Sequence, residues 1–98
     1  MAKGYWIARV TVHDPDGYKA YVAANAEAFA RFGGRFVVRG GRTEVMEGVA
    51  RPRNVVIEFD SYETALECYR SPEYQRALAL RQPVAEAELI ICEGYEPG

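Results

Sequence analysis

Tyr5-Trp6-Ile7-Ala8-Arg9-Val10-Thr11-Val12-His13, followed at once by Asp14-Pro15-Asp16-Gly17, is the stretch on which the reading of this chain turns. Its β-branched and aromatic residues alternate in the period-two pattern of a strand, and the Asp-Pro-Asp-Gly block is a turn and helix-start signal. From Tyr18 the apolar positions Tyr18, Tyr21, Val22, Phe29 and Phe32 fall in the stripe of an amphipathic helix, which Gly33-Gly34 stops as a C-cap.

Outward from this β-α unit, Arg35 to Arg39 reads as a second short strand. Gly40-Gly41 breaks its pairing as a bulge or turn before an extended run from Thr43 to Glu47. A polar loop, Gly48 to Arg53, leads to a third strand, Asn54 to Phe59. Asp60-Ser61 with Glu63 resembles a capping box that opens a helix through Tyr62, Ala65, Leu66 and Tyr69. Ser71-Pro72-Glu73 restarts that helix as a second piece, with Ser as N-cap and Pro where its missing N–H costs nothing. This piece ends near Pro83, and Glu88 to Glu93 forms the last strand. The order β-α-β-β-α-β predicts one α+β domain over residues 1–98. It is a ferredoxin-like sandwich with a four-stranded antiparallel sheet and two helices on one face.

Composition narrows the function classes. The chain is 49% hydrophobic and 27% charged with formal net charge −2, ordinary values for a soluble protein. No apolar run approaches the roughly 18 residues of a membrane span, and the N-terminus lacks a secretory pattern, so a cytoplasmic protein without membrane contact is expected. Cys68 and Cys92 stand apart among apolar neighbours and read as reduced thiols. Twelve Lys and Arg spread along the chain give no footprint for nucleic acid. One His and two isolated Cys give no metal-ligand spacing, and no dinucleotide or phosphate-loop motif occurs, so no metal and no cofactor are expected.

Strand alternation divides the sheet residues into two sets. Trp6, Ala8, Val10, Val12, Phe36, Val38, Val55, Ile57 and Phe59 form a clean apolar face for the helices. The opposite set is mixed: Tyr5, Ile7, Arg9, Thr11 and His13, then Arg35, Val37 and Arg39, then Asn54, Val56 and Glu58. Apolar groups on a second face call for a cover, at roughly 25 cal/mol per Å² of area, and the simplest cover is the same face of another copy. A face-to-face homodimer is therefore expected.

Ala24 to Gly41, with Val45-Met46-Glu47-Gly48, Ile57-Glu58-Phe59 and Ser71-Pro72-Glu73-Tyr74-Gln75, resembles the bacterial family called domain of unknown function 1330. The resemblance spans nearly the whole chain and implies the dimeric α-β barrel superfamily. That superfamily includes cofactor-free quinol and haem-degrading monooxygenases, muconolactone isomerases and stress-induced barrel proteins. The monooxygenases use an Asn with a Trp or a His lining the barrel. Asn25, Asn54, Trp6 and His13 supply these residue types without the spacing, so no catalytic role carries over.

The candidate ligand contacts come from the mixed face and the helices. Arg9, Arg39 and Glu58 are charges on a half-apolar surface, open to two readings: a cross-strand ion pair that fixes dimer register, or an anionic-ligand site in which Glu58 acts as a base if its pKa is raised. His13, the sole histidine, is a general base or a solvated loop residue, the latter being the commoner case. Asn25 interrupts the apolar stripe of the first helix as a buried amide or a ligand contact. Tyr74 and Arg81 on the second helical piece close over a ligand if that piece covers the barrel mouth. Two function classes follow: a module that binds a small, partly apolar anion in a dimer pocket, and a cofactor-free isomerase or monooxygenase acting on a small carboxylate, enol or quinol.

Overall fold

A computed structural model of the chain describes residues 2–97. Seven elements run β1 (Gly4–Val12), α1 (Pro15–Phe32), β2 (Arg35–Arg39), β3 (Arg53–Phe59), α2 (Tyr62–Arg70), α3 (Pro72–Arg81) and β4 (Ala85–Glu93). The strands form one antiparallel sheet in the order β2-β3-β1-β4, with the helices packed together over one face. This is the expected ferredoxin-like sandwich. No helix among the described residues is long and apolar enough to cross a membrane.

The barrel expectation is corrected. The sheet is open, ending at β2 on one side and β4 on the other, because four strands are too few to close on themselves around a side-chain-filled interior, which takes about eight. The extended run at Thr43 to Glu47 forms no strand either; residues 40–52 make a long exposed loop. Three strands start earlier than their apolar runs suggest, β1 by one residue at Gly4. β3 begins at Arg53, and β4 begins at Ala85, which pairs with Val12.

Each helix begins where its polar cap predicts. The Asp14 carboxylate accepts from the Gly17 N–H, Ser61 Oγ from the Thr64 N–H and Ser71 Oγ from the Tyr74 N–H. These caps satisfy N–H groups that have no partner inside the helix. The Ser71-Pro72 break divides α2 from α3, as the sequence indicates. Gly33 ends α1 with a left-handed φ of 71°, a conformation that costs glycine nothing.

The core is built around Trp6. Its ring lies 5.2 Å from Phe29 of α1, 5.6 Å from Phe59 of β3 and 4.8 Å from Tyr74 of α3. The indole Nε1–H donates to the Ala65 carbonyl of α2 at 2.9 Å. Trp6→Ala is expected to lower the unfolding free energy by about 3–5 kcal/mol, as loss of a buried large aromatic does. Trp6→Phe, which removes the indole donor but keeps a ring, should cost less, about 1–3 kcal/mol. Urea denaturation followed by circular dichroism measures both.

Candidate functional site

The helix-free face of the sheet gathers only part of the expected constellation. Glu58 accepts from Tyr5 Oη at 2.9 Å and from Arg35 Nη2 at 3.1 Å, so its partners are neither Arg9 nor Arg39. The Tyr5 hydrogen bond, followed by Arg35, holds its carboxyl below the usual carboxylate range. A base needs the opposite shift, and the geometry places Glu58 at the centre of an ion-pair cluster with Tyr5 and Arg35. Arg9 stands in register with Asn54 and Glu88, but Arg51 takes the acids of β4, Glu86 at 3.2 Å and Glu88 at 3.4 Å. His13 is exposed at the strand end, 3.8 Å from Glu86.

Arg39 lies on the opposite face, and a β-bulge puts it there. Phe36 pairs with Ile57, Val38 with Val56 and Arg39 with Val55, which inserts Val37 as an extra residue. Beyond a bulge the alternation of side chains inverts. Val38 therefore moves out of the expected helix-facing set, and Arg39 moves into it.

A cavity lies there, between α1 and the sheet. Its walls include Trp6, Phe29 and Ile57, and three guanidiniums converge on it: Arg39 from the end of β2, Arg53 from the start of β3 and Arg81 from the end of α3. Each rests over a ring, Arg39 on Phe36 at 4.2 Å, Arg53 on Tyr18 at 5.5 Å and Arg81 on Tyr21 at 5.5 Å. Such contacts steady a cation without neutralising it. Among the described residues none of the three belongs to a salt bridge, and no carboxylate or histidine lines the cavity.

The deeper polar groups are withdrawn from water. Arg81 is 8% exposed and Asn25 is 6% exposed, and the Nε atoms of Arg53 and Arg81 are buried without an acceptor. Behind the wall the hydroxyls of Tyr21 and Tyr74 share a 2.9 Å hydrogen bond. Burial, followed by Tyr21, pushes the Tyr74 phenol above its ordinary range, and burial also raises that of Tyr18. Gly40 has φ 64°, and a Cβ there would stand 2.5 Å from Arg53 Nη1. Glycine at that corner lets the Arg53 guanidinium fold inward. The cavity offers about 30 Å³ to the centres of water-sized molecules, room for roughly two waters.

Of the residues singled out from sequence, Asn25, Arg39 and Arg81 meet in this cavity, and Tyr74 backs it through Tyr21. Arg9, His13 and Glu58 lie elsewhere. Arg53, Tyr18 and Tyr21 were not anticipated as site residues. Arg53 was within reach of the alternation rule, since Arg53, Val55, Ile57 and Phe59 share one face once the strand is started at Arg53. Among the described residues no group of three or more His, Cys, Asp or Glu could hold a metal ion.

Fold and site together define a class: a ferredoxin-like α+β sandwich with a cationic, ring-lined pocket between helix and sheet. The chain belongs to the family described as domain of unknown function DUF1330, whose model matches residues 3–95. Among solved structures it is similar to RPA0582, a protein of unknown function from Rhodopseudomonas palustris. The two are 23% identical with a TM-score of 0.74, over 98% of this chain and 85% of that one. It is also similar to SnoaB, a cofactor-independent oxygenase from Streptomyces nogalater, at 17% identity and TM-score 0.65, over 99% of this chain and 97% of that one. A dimeric ferredoxin-like protein of unknown function from Thermobifida fusca matches at 16% identity and TM-score 0.62, over 94% and 91% of the two chains. At these identities the likeness establishes the fold. No curated protein matches the chain.

The depressed Glu58 carboxyl predicts a pH signature. A carboxyl whose folded pKa lies below its ordinary 4.5 contributes stability above that pH and loses it as pH falls through the folded value. Glu58→Gln should therefore show a Tm that declines less steeply than that of the wild type as pH drops below 4.5. Parallel thermal melts across the acid range test it, and identical acid limbs would rule out the ion-pair role.

Proposed function

We propose that the protein is a cofactor-independent enzyme that converts a small, partly apolar enol or quinol, held as its anion in the pocket between α1 and the sheet. The observation that carries this reading is the convergence of Arg39, Arg53 and Arg81 on an aromatic-lined cavity without a carboxylate among its lining residues. A guanidinium cluster in a poorly solvated site lowers the cost of ionising a substrate O–H, because the developing oxyanion meets fixed positive charge. The proton leaves to solvent at the exposed Arg39 rim. With the anion formed, isomerisation needs only reprotonation at another carbon. Oxygenation needs only dioxygen: an activated methylene loses two C–H bonds, one oxygen atom becomes its carbonyl oxygen and the other leaves as water. The substrate supplies all the electrons, so no cofactor enters. The likeness to a cofactor-independent oxygenase supports this choice of class.

A second reading keeps the pocket and drops the reaction. It is favoured by the absence of a carboxylate or histidine from the lining, which leaves no side chain suited to taking the proton directly.

The test is oxygen uptake and absorbance change with a panel of small hydroquinones and enolisable acids, in air and under nitrogen, with chelator present. Turnover is expected, and its oxygen dependence separates oxygenase from isomerase. Arg81→Gln should lower kcat/KM by about 100-fold, the effect of removing one preorganised oxyanion partner. Binding across the panel without turnover would establish the second reading.

We also propose a homodimer through the helix-free face. Ile90 is 57% exposed and Val38 42% exposed, and with Ile7 and Val56 between them they form a row across the face that is too apolar to leave to water. Val45, Met46 and Val49, on the exposed 40–52 loop, offer further apolar cover for a second copy. Free Cys68 and Cys92 suit a reducing compartment and support a cytoplasmic setting. Light scattering should give twice the 11.0 kDa chain mass, and Ile90→Asp should shift the population toward monomer. A wild-type monomer at micromolar concentration would end the dimer proposal.

A further inference from the structure

The charge balance of the pocket says more about its ligand than reaction class does. Four of the arginines that reach the surface, Arg31, Arg35, Arg51 and Arg76, are paired with carboxylates. Arg53 and Arg81, whose Nε atoms are buried, have no such partner among the described residues. This inverts what stability alone would select, because a charge taken out of water needs its counter-charge most. The rings of Tyr18 and Tyr21 brace the two guanidiniums but leave their charge intact. A phenolate does not supply the missing charge, since burial keeps the Tyr18 and Tyr74 hydroxyls protonated.

We propose that the pocket selects a small dianion, a carboxylate whose carbon skeleton carries a second ionised oxygen, with one negative charge set against Arg53 and the other against Arg81. Arg39, exposed at the rim, draws the ligand in. The guanidinium fork matches a carboxylate in two parallel hydrogen bonds, and the buried Asn25 amide is placed for a neutral oxygen of the same ligand. The cavity is tight, so the skeleton is limited to a few carbons, part of which lies at the open Arg39 rim. This inference rests on the pocket being the ligand site, and it adds a carboxylate to the enol or quinol oxygen already assigned there.

Isothermal titration calorimetry with succinate, butyrate and butyramide, above neutral pH, compares a dianion, a monoanion and a neutral molecule of one chain length. Succinate should bind about tenfold or more tightly than butyrate, the worth of one further charge-assisted contact, with butyramide weakest. Arg53→Gln should abolish the advantage of succinate over butyrate. Arg35→Gln, on the opposite face, should keep it, and Arg81→Gln serves as second pocket variant if Arg53→Gln does not fold. Equal affinity for succinate and butyrate, an advantage that survives the pocket variants, or no binding by any of the three would overturn the inference. The titrations contain no chemical step. Dianion preference with no turnover of any panel compound therefore defeats the catalytic reading alone, and turnover with no preference defeats this inference alone.

Discussion

The indole of Trp6 ties the sandwich together, because one side chain on a central strand reaches every helix. It meets Phe29 of α1 and Tyr74 of α3 edge to face, and it hydrogen-bonds the Ala65 carbonyl of α2. Its edge-to-face geometry suits the aromatic quadrupole, and its N–H is satisfied rather than stranded in an apolar core. The depth at which α1 and α3 sit over the sheet follows from this wedge. So does the floor of the cavity, since Trp6 and Phe29 belong to both core and cavity wall.

The two faces of the sheet solve opposite electrostatic problems. On the helix-free face the carboxylates are paired, Glu58 with Arg35 and the β4 acids with Arg51. Such partly exposed pairs contribute modestly to stability, and they surround apolar residues suited to a second copy. On the helix side three guanidiniums have rings instead of counter-ions. Rings allow a cation to be held in place while its charge stays available, which is the condition that binding an anion requires.

The pocket depends on small backbone details at one end of the sheet. The Val37 bulge rotates Arg39 to the helix side. The left-handed Gly40 leaves the space that the Arg53 side chain occupies. Without either, the arginines of the β2-β3 corner would project toward solvent or the other face, as the ion-paired Arg35 does.

Local sequence was enough to determine the order of elements, the three helix caps, the Ser71-Pro72 break and the helix-facing residues of β1 and of β3 from Val55 onward, because caps and periodicity act over three to four residues. The family resemblance was legible as well, through motifs that keep their order along the chain. Tertiary structure decided that the sheet stays open and that residues 43–47 pair with nothing. It also decided which arginines share a space. Strict alternation assigns Arg39 to the wrong face because a bulge is set by pairing with β3, a partner distant in sequence. Arg53 and Arg81 lie 28 positions apart in the numbering, and only the packing of α3 against α1 over the sheet brings their charges to one cavity.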